Sequence, residues 1–540
     1  MKKLILLSAT IFLINFSFAQ MAVHDSSAFL DINQIKARIV AGGVNFYDTS
    51  SFVGYVYPAD SQSQTILTSA LWIGAKNQNN LHLVAERYHA NGRDYYPGPV
   101  MDSISYQSQV VNWNKVWKIN KSEIDNHIIN WNTPGYVIPN SISHWPVYAN
   151  PSLNINHDLA PYVDTDSDGF YNPVNGDYPY IRGDQAIYFI FNDSVFKHTE
   201  SGGQKLGVEV HAMAYAYNSN PLLRKTIFVN YLIYNNSSRV YDSLYIGLFT
   251  DFDIGEATDD YIGCDTLLNT YYGYNADSVD GTFNNPHWYG NNPPVQAVSF
   301  CSQPMNSFAY FNNTGANQSM TDPHSASDYY LIMTSRWKDS SHFAFGGDGH
   351  YLNGGDSTKP VNYIFPGNPN DTSQWNETSA GNFSGDRRGV GISGPFQLIP
   401  GQYIAYDVSY ITVDSSSVMG IAFPNIEKMF QTIPLICDFV NTNIPTDGHD
   451  LALGINSNGN SNDVMQFDVF PSPASDKITL ICNHAKEMQI DIFDINGKRM
   501  QSIKCNDTKT ELDVSMLRQG VFILKIYNNN QSGFSKFVKM

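Results

Sequence analysis

The chain has little cysteine and little charge. Its five cysteines, Cys264, Cys301, Cys437, Cys482 and Cys505, are widely spaced and form no Cys-x-x-Cys pair. That excludes the common zinc and dithiol redox motifs. A Cys264–Cys301 or a Cys482–Cys505 bridge fits an exported protein, with at least one thiol left over. Charged residues make up 15%, and 50 acids outnumber 32 bases for a net charge of −18. Such a balance argues against nucleic acid or an anionic membrane as partner. His-Glu-x-x-His, Gly-x-Ser-x-Gly and Gly-rich phosphate loops are missing, which removes the readiest signatures of metalloproteases, α/β-hydrolases and nucleotide enzymes. Past residue 19 no apolar run is long enough to cross a bilayer as a helix.

Aromatic residues are plentiful, at 14% with 34 Tyr and 31 Phe beside 39 Gly. That mixture favours strands and turns over helices. Residues 1–19 read as a secretory signal peptide: Lys2 and Lys3, an apolar stretch from Leu4 to Phe18, then the small-x-small site Ser17-Phe18-Ala19. No cysteine follows the site, so a lipid anchor is not expected. Residues 20–452 form the body, 453–464 a polar Asn/Ser/Gly linker, and 465–540 a separate C-terminal module.

Strand patterns dominate the body. Residues 65–75 and 81–85 make a hairpin. Residues 185–191, 207–217, 225–234, 242–250, 330–333 and 403–413 read as further strands joined by short polar turns. Helical spacing is confined to 31–38, 121–131 and 424–432. The expected fold class is all-β, a large β-sandwich body (one sandwich or two) with few short helices, plus a small C-terminal Ig-like β-sandwich.

The most chemically specific stretch of the body runs from Asp164 to Asp177. Asp164, Asp166 and Asp168 alternate, and Gly169 sits where a calcium loop turns sharply. The pattern Asp-x-Asp-x-Asp-Gly matches the first half of an EF-hand loop. Asn175 then stands where the closing Glu belongs. The expected metal ligands are Asp164, Asp166, Asp168, the Phe170 carbonyl, Asn172 and Asp177, with Asp184 as a further carboxylate. Calcium, in a structural role, suits so many oxygens. The plain alternative is a solvated acidic turn.

A second acidic run, Asp251, Asp253 and Glu256, followed by Asp259, Asp260 and Asp265, lies at a strand end. It suits a polar network, a second cation, or the paired carboxylates of a polysaccharide-acting hydrolase. His342, Asp348 and His350 lie close in sequence but read as a surface loop. Trp113, Trp117, Trp131 and Trp145 are either core or a sugar-stacking platform. Arg182-Gly183-Asp184 spells an adhesion tripeptide that also arises by chance.

The C-terminal module carries a resemblance. Its segments FDVFPSPASDKITL, MQIDIFDINGKRM, LDVSMLRQGVFILKIY and SKFVKM resemble the type A C-terminal sorting domain of the type IX (Por) secretion system of Bacteroidota. Phe470-Pro471-Ser472-Pro473 departs mildly from that family's usual Tyr-Pro-Asn-Pro. The resemblance implies export through the outer membrane, with 465–540 engaging the translocon, and a secreted or cell-surface product. It implies nothing about activity. The Asp-rich segment of the body is similar to that of surface proteins with the same tail, and no activity follows from that either. The sequence thus points to an exported, calcium-stabilised β-sandwich with a binding or structural role, surface glycans included. The second reading is a secreted hydrolase using Asp251, Asp253 and Glu256.

Overall fold

The computed structural model describes residues 25–48, 54–88, 92–147, 159–281, 285–313, 315, 317–414, 422–444, 467–470, 474–482, 488–494, 499–505, 507–527 and 532–539. The signal peptide, the polar linker, the Pro471–Pro473 turn and the Asn496-Gly497 turn lie outside these residues.

Two antiparallel sheets build the body. The first has eight strands in the order Ser27–Leu30, Lys36–Val40, Tyr55–Val56, Gln64–Asn77, Tyr241–Phe252, Arg387–Leu398 and Ser307–Asn312, with Asn80–Ala85 also paired to Gln64–Asn77. The second has nine: Asp260–Asp265, Thr270–Asn275, Val295–Ser299, Tyr403–Val413, Thr226–Asn235, Val208–Ala216, Gln185–Asn192 and Tyr96–Pro97, with Trp117–Asn120 also on Gln185–Asn192. One core joins them. Leu71, Trp72, Ile246 and Leu248 of the first sheet cluster with Phe189, Val210, Val229 and Tyr410 of the second. The body is therefore one sandwich.

The second sheet is covered on its other face too. Tyr188, Met213, Tyr215, Phe228 and Leu232 pack with Tyr106, Ile124 and Ile142 and with Ile426, Met429, Ile433 and Val440. These come from the helices Ser103–Trp113, Lys121–Asn130, Asn140–Ser143 and Pro424–Asn443. Being buried on both sides, Gln185–Asn192 and Val208–Ala216 carry no exposed residue, and residues 186–191 accordingly read as a continuous apolar run.

Three local expectations are corrected. Residues 31–38 are not helical: Ser27–Leu30 and Lys36–Val40 pair as antiparallel strands, Leu30 opposite Ala37. Residues 330–333 belong to a helix, Ala326–Met333, whose Ser325 cap and Asp328 form a capping box. The helix expected at 424–432 runs on to Asn443, with Pro434 inside it.

The disulfide expectation is also corrected. Cys301 bonds Cys437 of that helix, with the Cα atoms 4.8 Å apart, and Cys264 is a buried free thiol. Cys264 sits within a strand of the second sheet, packed in the inter-sheet core. That places it apart from Cys301, which lies beyond the end of Val295–Ser299.

The C-terminal module forms two further antiparallel sheets. One orders Phe467–Phe470, Lys477–Cys482 and Lys509–Asp513. The other orders Arg499–Cys505, Met488–Asp494, Gly520–Tyr527 and Ser532–Lys539. Ile478, Leu480, Ile490, Ile492, Leu512, Leu524 and Phe537 fill its core, as the expected Ig-like pattern requires.

Candidate metal centres and the sorting tail

The 164–177 loop is pinned at both ends. Tyr162–Val163 pairs with Tyr178–Pro179 in a two-residue ladder. Gly169 and Gly176 take φ of +81° and +102°, left-handed values that glycine adopts without penalty. A Cβ on Gly176 would lie 2.9 Å from the Trp131 ring, so that position also needs glycine for close approach. His127, buried on the neighbouring helix, donates from Nε2 to the Asp177 carbonyl at 3.1 Å.

Inside the loop two buried carboxylates gather backbone N–H groups. Asp164 accepts from Ser167 at 2.7 Å and Gly169 at 2.8 Å. Asp177 accepts from Thr165 and Asn172, each at 2.7 Å. Asp164, Asp166 and Asp177 each place one oxygen within 4.8 Å of the others'. Oxygens on a calcium shell of about 2.3–2.6 Å radius lie at most ~5 Å apart, so the three fit one ion. Burial, with Asp164 and Asp166 adding negative charge, raises the Asp177 pKa above the ordinary carboxylate value.

Not every expected carboxylate joins. Asp168 is exposed and folds back to accept from the Phe170 N–H at 2.8 Å, because Ser167 at φ 61° breaks the strand-like alternation. The Phe170 side chain is also exposed. Asn172 gives its N–H to Asp177. Asp184 caps another turn, accepting from Asn218 and Ser219 at 2.7 Å. Beside it Arg182 is buried against Asp407 at 3.3 Å, so the Arg-Gly-Asp tripeptide is not presented as a unit.

The second acidic run is divided by the fold. Asp251, Asp253 and Asp386 place oxygens within 4.8 Å of one another. Sequence reasoning missed Asp386, which lies just before the Arg387–Leu398 strand. Cross-strand register delivers it: Asp251 stands opposite Arg388. Glu256 is elsewhere, its carboxylate accepting from Thr258 at 2.8 Å and its N–H donating to Asp280 at 2.7 Å.

Asp251 is wholly buried. Its pKa is pushed up to about 7 by desolvation, against the pull of Arg388. Desolvation, with Asp251 and Asp386 nearby, holds Asp253 well above the usual range. A hydrolytic carboxylate pair has to meet a glycosidic oxygen, and full burial of Asp251 leaves no approach for one.

Asp259 sits among Asp280, Glu256 and Asp277, and desolvation followed by these charges raises its pKa to about 6. The folded value exceeds the unfolded one of 3.8, so charging this group opposes folding. The handicap is absent below 3.8 and fully developed above about 6. Asp259→Asn keeps an acceptor for the Gly281 N–H, now at 3.1 Å. The variant is expected to melt about 2 °C higher at neutral pH, the effect of roughly 1 kcal/mol in a protein of this size. The difference should vanish in melts near the unfolded pKa of 3.8; an equal gain at both pH values would contradict this account.

The remaining sequence candidates pair locally. His350 donates from Nε2 to Asp339 at 3.0 Å, while its Nδ1 accepts from Leu352 at 3.1 Å. Asp348 accepts from Asn353 at 2.6 Å. Trp117 and Trp145 pack against Tyr188, Trp145 as a buried core residue and Trp117 half-buried beside it.

Residues 468–540 match the model of a family described as the secretion system C-terminal sorting domain. The tail marks an exported cargo. It indicates delivery by the type IX system to the cell surface or the medium. No helix among the described residues is long and apolar enough to cross a membrane. Among curated proteins nothing matches the chain. Among solved structures, a polysaccharide lyase aligns with 96% of this chain and 46% of its own, at 7% identity and a TM-score of 0.25. A likeness that slight carries no argument, and the chain spans less than half the length of that lyase.

Proposed function

We propose that this chain is a type IX cargo whose body is a calcium-stabilised sandwich with a binding or structural role at or beyond the cell surface. The sorting tail supports the route. For the metal, the supporting observation is the convergence of Asp164, Asp166 and Asp177 in a loop closed at both ends. Asn172 and the Phe170 carbonyl are the further oxygens the loop can offer. Calcium would relieve the repulsion among the carboxylates and fix the loop against the Lys121–Asn130 helix.

Two tests follow. Truncation before residue 468 should leave the protein inside the outer membrane, seen as loss of surface labelling in intact cells. Full surface labelling of the truncated chain would end the sorting assignment. Chelation should lower the melting temperature by a few degrees, since millimolar calcium on a site of about 0.1 mM affinity contributes roughly 1 kcal/mol. Asp177→Asn should melt at the lower temperature with or without chelator. A wild-type melt indifferent to chelation would remove the metal from the proposal.

A further inference from the structure

We infer that Asp251, Asp253 and Asp386 form a second site, for a hard divalent cation such as calcium or manganese, where two neighbouring strands of the first sheet end. The carboxylates divide their oxygens. Arg388 lies 3.5 Å from Asp251 Oδ2 through Nε and 3.0 Å from Asp386 Oδ2 through Nη2. The Tyr88 hydroxyl also donates to Asp251 Oδ2. That leaves Asp251 Oδ1 and Asp386 Oδ1 buried with no hydrogen-bond partner. Gln64 repeats the pattern: its Nε2 donates to Asp253 Oδ2 at 3.1 Å, and its Oε1 is buried and unpartnered.

A buried carboxylate oxygen with no donor is expensive, more so when the side chain is sealed from water as Asp251 is. A cation held among the three carboxylates, whose oxygens converge within 4.8 Å, supplies a partner of that kind. Charge points the same way. Arg388 is the base in contact with Asp251 and Asp386, while Arg87 is engaged by Glu200 and Asp322, so negative charge remains in excess. Donors that are all oxygen, with no His or Cys in the group, select calcium, magnesium or manganese over zinc or copper. Arg388 Nη1 is likewise unpartnered, so the rival occupant is a water bridging it to the carboxylates.

The deciding experiment counts ions. Full-length protein is dialysed against calcium, and separately manganese, on the order of a few mM, and bound metal is measured by mass spectrometry. Two ions per wild-type chain are expected, one in Asp386→Asn, one in Asp177→Asn and none in the double variant. Asp386 is partly exposed, and its amide replacement keeps an acceptor for Arg388; circular dichroism checks that the variant folds. If the wild type holds one ion that Asp177→Asn loses and Asp386→Asn keeps, the second site is refuted while the loop survives. The same refutation follows if Asp386→Asn retains both ions. One wild-type ion, lost in Asp386→Asn and kept in Asp177→Asn, supports this site and removes the loop. Should Asp386→Asn fail to fold, the wild-type and Asp177→Asn counts still decide: no ion left after Asp177→Asn overturns the second site, and one left upholds it.

Discussion

Replacing Cys301 and Cys437 together by serine is expected to cost about 2–5 kcal/mol of unfolding free energy. The bridge spans a sequence separation of 136 residues, and for a closed loop that long the chain-entropy model puts the contribution near 5 kcal/mol, with native bridges in smaller proteins measuring about 2–5. It ties the Pro424–Asn443 helix, which buries Ile426, Met429, Ile433, Ile436 and Val440, to the end of Val295–Ser299. Released, the helix should become the first segment cut by protease within 424–444. Urea titrations with and without reductant read the energy, and limited proteolysis reads the place. An unchanged urea midpoint, or first cleavage elsewhere in the body, would contradict the bridge's assigned role.

Glu377→Ala is expected to cost about 3–5 kcal/mol, because it strands a buried charge. Glu377 is fully buried and faces Arg387 with N–O distances of 3.0, 3.2 and 2.9 Å. It also accepts from the Ile262 N–H at 3.0 Å. Without it Arg387 keeps the Asn312 side chain and the Phe383 carbonyl, neither of which carries charge. Replacing the pair together, Glu377→Met with Arg387→Leu, should recover most of the loss, since matched apolar side chains leave no ion to desolvate. A single variant costing under about 1 kcal/mol would mean that water reaches the pair.

The strands were legible where length and β-branched or aromatic content agreed. Tyr403–Val413 appears in the fold with the bounds read from the sequence. Residues 330–333 misled because a short apolar run is equally a strand or one face of a helix. The deciding signal lay upstream, in Ser325 and Asp328. At the calcium-type loop the spacing drew attention to Asp164 and Asp166, and the fold places their oxygens beside one of Asp177. Alternation, however, put Asp168 on their side, and the left-handed turn at Ser167 and Gly169 reverses it. Asp386 could not be read at all. What brings it to Asp251 is pairing between strands remote in sequence, and no local pattern encodes a partner at that distance.

A sheet covered by its mate on one side and by helices on the other has no open floor. The nine strands of the second sheet thus offer a visitor little beyond their perimeter: turns, strand ends and unpaired margins. Among the described residues, a partner that touches these strands directly does so at their rim.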